Sequence, residues 1–343
     1  MPVTAQSLSD ELIAHHVDIS RYSASVQQQV LVLLQKMQRE LIELLAKEDL
    51  TAYGKTRTEW LLRQATSIID RYYVQADSVM RLSADAIVPL TAQHAAGVLD
   101  AVVEVGIGLP TATTLERLVS NVLIQGSPLA DWWSRQAADT VWRFSNAVRM
   151  GMVAGETNAQ IITRIAGNRT VTGVMDITRS NAAALVQTAT ATVANAARDA
   201  AFRANADVVP RIAFLATLDN LTCAECAVRD GKEWTNDSEH DPIGHSIPYS
   251  MPGIHPQCRC VLVGRVSSEF FKAPIGQRAS MTGPVKGNVT FAEWLSRRTP
   301  EQQDEQFGPG RMDLFRRKVI TFEQLMSPRG NVLTVKQLKA KYA

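Results

Sequence analysis

The chain has 343 residues, enough for two or three domains or one large core. Hydrophobic residues make up 45% of it and charged residues 20%, the balance of an ordinary folded protein rather than a disordered one. A net charge of only +2 argues against a dedicated nucleic-acid binder with a broad basic face. No uninterrupted apolar run reaches the ~18 residues of a membrane span.

The N-terminal stretch MPVTAQSLSDEL lacks a basic region followed by an apolar core, so no signal peptide is expected and the chain is expected to be made and folded in a cytoplasm. Residues 7–48 read as one or two helices. Val30, Leu33, Met37, Leu41 and Leu44 recur at three- and four-residue spacing, with Lys36, Arg39, Glu40 and Glu43 on the other face. Thr58 to Met80 reads as a second helix, through Leu61, Ala65, Ile68 and Tyr72. Residues 84–105 form a third apolar stretch, ended by Gly106, Gly108 and Pro110. Residues 1–110 are therefore expected to be a helical N-terminal region.

The next helix is predicted to open at Gly126-Ser127-Pro128, with Ser127 as N-cap and Pro128 at the first helical position. Its Trp132, Trp133, Val141, Trp142 and Phe144 read as a core stripe. Thr157-x-x-Gln160 is a capping box for a helix that stops at Gly167. A long Ala/Thr-rich helix over 176–205 has side chains small enough to sit centrally in a bundle. Residues 211–219 and 260–266 read as two strands that pair. Residues 111–266 thus form an α+β domain in a chain that is mainly α with a small β element. The tail, 267–343, carries four Thr-x-x-Glu/Gln boxes, at Thr290/Glu293, Thr299/Gln302, Thr321/Gln324 and Thr334/Gln337. Short helices are expected there, broken at Gly308-Pro309-Gly310 and Pro328-Arg329-Gly330.

All four cysteines lie between the first strand and the start of the second, as Cys223-x-x-Cys226 and Cys258-x-Cys260, with His255 three residues before Cys258. A Cys-x-x-Cys turn sets two thiolates on one tetrahedral zinc, and a second pair completes the shell. Residues i and i+2 of a strand share a face, so Cys258 and Cys260 can point at one ion. Five candidates, Cys223, Cys226, His255, Cys258 and Cys260, compete for four places; His240 and His245 are more distant ones. A structural zinc explains how a loop so rich in Pro and Gly stays folded. Disulfides and free buried thiols are the alternatives. Four strong ligands leave no open position for catalytic water.

No Gly-x-Ser-x-Gly elbow, phosphate-binding Gly-x-x-x-x-Gly-Lys loop or His-Glu-x-x-His helix occurs. Asp237, Glu239, His240, Asp241 and His245 are the one polar cluster suited to acid–base or metal chemistry, and a solvated loop accounts for them more simply.

TLDNLTCAECAVRDGKEW followed by IHPQCRCVL resembles the phage Mu F-type head morphogenesis proteins, the minor head proteins of tailed phages. The shared pattern is Leu218-Asp219, Thr222 to Cys226, Asp230-Gly231 with Trp234, and His255 to Cys260. The likeness runs upstream through GETNAQIITRI to about residue 125, and FAEWLSRRTPEQQDEQFGPGR resembles the C-terminal extension of many such proteins. The resemblance implies a non-enzymatic, low-copy protein of the virion. It would lie inside the head near the portal protein, aiding procapsid assembly, DNA packaging or genome delivery. Major capsid or scaffolding protein and packaged DNA are further contacts it suggests. The competing expectation from the residues alone is a zinc-stapled DNA nuclease using His240 and His245.

Overall fold

The computed structural model describes residues 5–47, 54–103, 105–269 and 277–342. Two long helices come first, α1 (Ala5–Ala46) and α2 (Lys55–Asp100). The buried stripe of α1 runs Val26, Val30, Leu34, Met37, Leu41 and Leu45, with Leu33 and Leu44 at its edge. The two helices expected over 58–80 and 84–105 are one. Pro89 lies inside α2 and removes one ladder bond, yet Ile87, Val88, Thr91 and Ala92 are buried around it. Tertiary burial on both sides of the proline outweighs the local break.

After α3 (Ala112–Asn121) comes a two-stranded hairpin, β1 (Leu123–Ile124) and β2 (Ser127–Pro128). Its turn residues Gln125 and Gly126 both have positive φ, which matches the twist of a tight hairpin. Ser127 is therefore a strand residue and not the cap expected of it. Helix α4 (Leu129–Val153) starts after Pro128 with no side-chain cap. Trp133 and Phe144 are buried as expected, but Trp142 is 62% exposed and does not belong to the core. Helix α5 (Asn158–Ala166) carries the Thr157/Gln160 capping box and ends at Gly167.

Helix α6 (Val174–Arg203) is the centre of the molecule, buried on nearly every side from Leu185 to Phe202. A helix apolar all round belongs inside a core, and its alanines and threonines let α1, α2 and α4 pack close. The sheet that follows has the order β5-β4-β3-β6, all antiparallel: β3 (Arg211–Leu215), β4 (Glu233–Thr235), β5 (Pro242–Ile243) and β6 (Val261–Arg265). The expected pairing of the two strands is present, with Ile212 opposite Gly264 and Phe214 opposite Leu262. A Cβ on Gly264 would lie 2.8 Å from Val209 and 3.1 Å from the Phe202 ring, so this strand lies against the end of α6 only as glycine.

Past helix α7 (Ala224–Arg229) and the sheet, the tail adds a small ladder, β7 (Gln277–Arg278) with β8 (Val285–Lys286). Four short helices come after it: α8 (Phe291–Ser296), α9 (Pro300–Phe307), α10 (Pro309–Arg316) and α11 (Val335–Tyr342). The boxes at Thr290 and Thr299 cap α8 and α9, and Thr334 with Gln337 caps α11. Thr321/Gln324 forms only half a box: the Thr321 N–H donates to the Gln324 side chain, and a single 3₁₀ turn (Glu323–Leu325) results. Phe291, Trp294, Phe307 and Leu325 of the tail share one apolar cluster with β3, β6 and α6.

One buried polar cluster links α1 to α6. Arg198 is fully buried; it donates to Asn195 Oδ1 (3.1 Å) and to His16 Nδ1 (3.4 Å). His15 and His94 stack 4.2 Å apart beside it. Burial first, then Arg198, pulls His16 down to about 3, and burial pulls Arg198 to about 9. Cys258 works the other way on His16, as Asp18 does on His15 and Glu11 and Asp18 on His94. A histidine depressed when folded contributes stability that is intact above its unfolded value near 6.5 and is lost as pH falls toward its folded value. At pH 5 the loss from His16 is about 2 kcal/mol. Melting curves between pH 7 and 4.5 should fall steeply in the native chain and less so in His16→Gln; equal slopes would refute the assignment.

Candidate metal centre

The knot is built on the outer turn of the sheet and on one face of α6. Strand β3 delivers the chain to Leu218, and Thr222 turns it by donating its hydroxyl to the Thr217 carbonyl (2.6 Å). Cys223 then caps α7, its sulfur accepting from the Cys226 N–H at 3.5 Å. The second half of the knot lies along α6, where Thr188, Thr192 and Asn195 fall on one face at spacings of four and three. Thr188 Oγ1 accepts from the Gln257 N–H (3.0 Å). Gly253, at φ +114°, lies so close to Thr192 that a Cβ would meet its hydroxyl at 2.2 Å. Asn195 donates to the Cys260 carbonyl (3.2 Å) and accepts from the Leu262 N–H (3.0 Å), fixing the strand that leaves the knot.

The five predicted donors converge. Cys223, Cys226 and His255 form one group with ligand atoms within 4.8 Å of one another, and Cys226, Cys258 and Cys260 form a second. Cys226 belongs to both. Its sulfur is 3.2 Å from His255 Nε2 and 3.8 Å from Cys258 Sγ. Tetrahedral metal–sulfur bonds of about 2.3 Å require sulfur–sulfur edges of about 3.8 Å, the spacing of the Cys226 and Cys258 sulfurs. The same spacing is far from the ~2.05 Å of a disulfide, and all four cysteines are unpaired. His255 directs Nδ1 at the Pro256 carbonyl (2.8 Å), which leaves Nε2 as the nitrogen that faces the Cys226 sulfur and that a metal would take.

The donors share their protons unequally. Hydrogen bonding with Cys226, aided by His255, holds Cys223 down to about 4, and Cys223 and Cys258 lift His255 to about 11. Cys258 is likewise held low by Cys226, whereas Cys223 and Cys258 push Cys226 up. Protons and an imidazolium thus balance thiolate charge that a dication would balance directly.

Around the donors, charged side chains knit the two halves together. Arg259, between Cys258 and Cys260, donates to both oxygens of Asp219 (2.6 and 3.0 Å). Asp230 accepts from the Ala216 N–H (2.7 Å), the Phe291 N–H (2.7 Å) and both terminal nitrogens of Arg278. Trp234 is fully buried and donates to the Ile247 carbonyl at 2.9 Å. From the tail, Gln306 donates to the carbonyls of Asp219 and Thr222.

The histidines of the loop lie outside both donor groups. Arg203 donates to His240 Nε2 (2.5 Å), so Nδ1 carries the proton and donates to the Thr235 carbonyl (3.1 Å). The Ile247 N–H donates to His245 Nδ1 (3.1 Å), so Nε2 donates to the Glu233 carbonyl (2.9 Å). Both rings have both nitrogens occupied by the protein. Asp237 accepts from Thr235 Oγ1 and from the N–H groups of Glu239 and His240, which is turn scaffolding.

Residues 143–263 match the family model described as Phage Mu protein F like protein. This segment belongs to that family. The Mu F-like segment opens inside α4, takes in α5, α6 and the whole knot, and closes inside β6. Each motif residue of the resemblance has a place in it: Asp219 and Arg259 tie the knot's halves, Asp230 anchors the tail, and Trp234 fills the space beneath the sheet. The family is one of structural phage head proteins and suggests a part in head morphogenesis. No curated protein and no solved structure matches the chain. Among the described residues no helix is long and apolar enough to cross a membrane.

Proposed function

We propose that the chain is a non-enzymatic minor head protein that binds the portal inside the phage head and aids procapsid assembly, DNA packaging or genome delivery. The Mu F-like segment carries this reading. The knot supports it, because the reactive side chains of that segment hold backbone and one another instead of lining an open cleft. We assign the knot a structural zinc, held by Cys223, Cys226, Cys258 and His255, with Cys260 packed behind against Cys226 and Cys258. A zinc there supplies a cross-link between the turn after β3 and the start of β6, and four ligands leave no site for water.

Two experiments test the reading. Purified chain should co-sediment with portal rings of the same phage and should leave plasmid DNA intact in the presence of added divalent metal. Cleavage that disappears in His240→Ala or His245→Ala would replace it with the nuclease reading. For the ligand set, Cys260→Ala should retain its metal and Cys226→Ser should lose it. The reverse outcome would exchange Cys260 for one of the assigned ligands.

A further inference from the structure

A guanidinium keeps its charge inside a protein, and a buried charge is normally paired. Arg198 of α6 is 0% exposed, and among the described residues no carboxylate accepts from it. Its Nη1 donates to Asn195 and His16, but Nε and Nη2 are buried with no acceptor. Those two nitrogens form one edge of the guanidinium, whose parallel N–H bonds grip an anion bidentately. His16 adds a third donor. Its Nδ1 accepts from Arg198, so the proton sits on Nε2, and Nε2 is also buried without a partner. The unpaired set of the cluster holds three donors, one nitrogen that can take either role (His94 Nδ1) and no anionic oxygen.

The carboxylates nearest in sequence are turned elsewhere. Asp199 has an unpaired oxygen of its own, but it lies about 100° round the helix. There it accepts from Arg203 (2.9 Å) and borders a cavity shared with Thr114 and Leu118 of α3. Asp18 accepts from Arg21 (2.9 Å) on the exposed side of α1, and Glu11 is exposed. A water molecule would suit the Arg198 edge poorly. It can accept from the fork, yet it brings two hydrogens of its own and leaves the charge uncompensated. Full burial also sets the size of the ligand, since no side chain of another protein reaches an edge enclosed by α1, α2 and α6.

We infer that the Nε/Nη2 edge of Arg198, next to His16, holds a small monovalent anion of the chloride class. The ion would compensate the buried guanidinium and strengthen the junction of α1 with α6. Through Arg198 and Asn195 it would also bear on the start of β6, because Asn195 holds the Cys260 carbonyl and the Leu262 N–H.

The test uses the full chain and Arg198→Met, in which an apolar side chain of similar length replaces the charge and folding is expected to survive. Melting temperatures are compared in sodium chloride and in sodium gluconate, whose anion is too large for an enclosed site. Wild type should melt about 3–5 °C higher in about 0.5 M chloride than in gluconate, and Arg198→Met should show no such difference. Crystals of the wild-type chain grown in sodium bromide should give an anomalous peak in hydrogen-bond contact with Arg198 Nε and Nη2, a readout that needs no variant. Equal chloride dependence in wild type and Arg198→Met would overturn the site, as would a bromide map with no peak at Arg198. A bromide peak without any chloride dependence of the melt would show binding at crystal concentration only, and would overturn it too.

Discussion

Replacing Cys226 with serine, or removing metal with a strong chelator, is expected to abolish cooperative folding of the Mu F-like segment near physiological temperature. Cys226 is the one donor common to both convergent groups, and its sulfur lies within 3.8 Å of both His255 and Cys258. Structural zinc contributes on the order of 10 kcal/mol to a small site. A whole domain is stable by only about 5–15 kcal/mol, so losing the ion removes most of the margin. The segment from Pro242 to His255 has one two-residue strand over its length and otherwise depends on isolated contacts at His245, Ile247 and Gly253. Thermal melts with and without chelator, on the native chain and on Cys226→Ser, measure the effect. A shift of less than about 2 °C in both would contradict a metal-held knot.

Asp230→Ala is expected to destabilise the chain by about 3–5 kcal/mol, the usual consequence of removing one partner of a buried ion pair. The Asp230 side chain is fully enclosed and Arg278 nearly so. The carboxylate satisfies two buried backbone N–H groups and the guanidinium together, so its loss leaves the Ala216 and Phe291 N–H groups without an acceptor and a buried guanidinium held only by the Ala216 and Val289 carbonyls. These bonds also tie the tail to the Mu F-like segment, through β7 and the first residue of α8. Denaturant unfolding should therefore lose amplitude from the tail tryptophan, Trp294, at lower denaturant than from Trp234. Combining Asp230→Asn with Arg278→Met should recover part of the stability, since replacing both partners with uncharged side chains removes the uncompensated charge. A single-variant loss under about 1 kcal/mol would show that the pair contributes little.

Much of this architecture is written locally and is legible for that reason. The stripe of α1, the Thr157/Gln160 box, the stop at Gly167 and the two paired strands follow from spacing and capping chemistry within a few residues. The donors of the knot can be read because all four cysteines, and three of the six histidines, fall between residues 223 and 260. Where local reading fails, a distant contact overrides a local signal. Pro89 sits inside a helix because the residues on both sides of it are buried against α1 and α6. Ser127 has the chemistry of a cap but serves a hairpin whose turn depends on Gln125 and Gly126. The aromatic run of α4 has the composition of core, yet Trp142 faces outward, away from the buried stripe. Asp230 gives no sign of its partner, because Arg278 is 48 residues on and neither residue type is unusual. Asn195 is hidden in the same way: nothing in an Ala/Thr-rich helix announces the residue that fixes Cys260 and Leu262.

X-ray absorption at the zinc edge, on protein purified without added metal, tests the central claim most directly. The expected spectrum shows about one zinc per chain with three sulfurs near 2.3 Å and one imidazole nitrogen near 2.0 Å. Absence of metal, or sulfurs joined at the ~2.05 Å of disulfides, would contradict the metal-held knot.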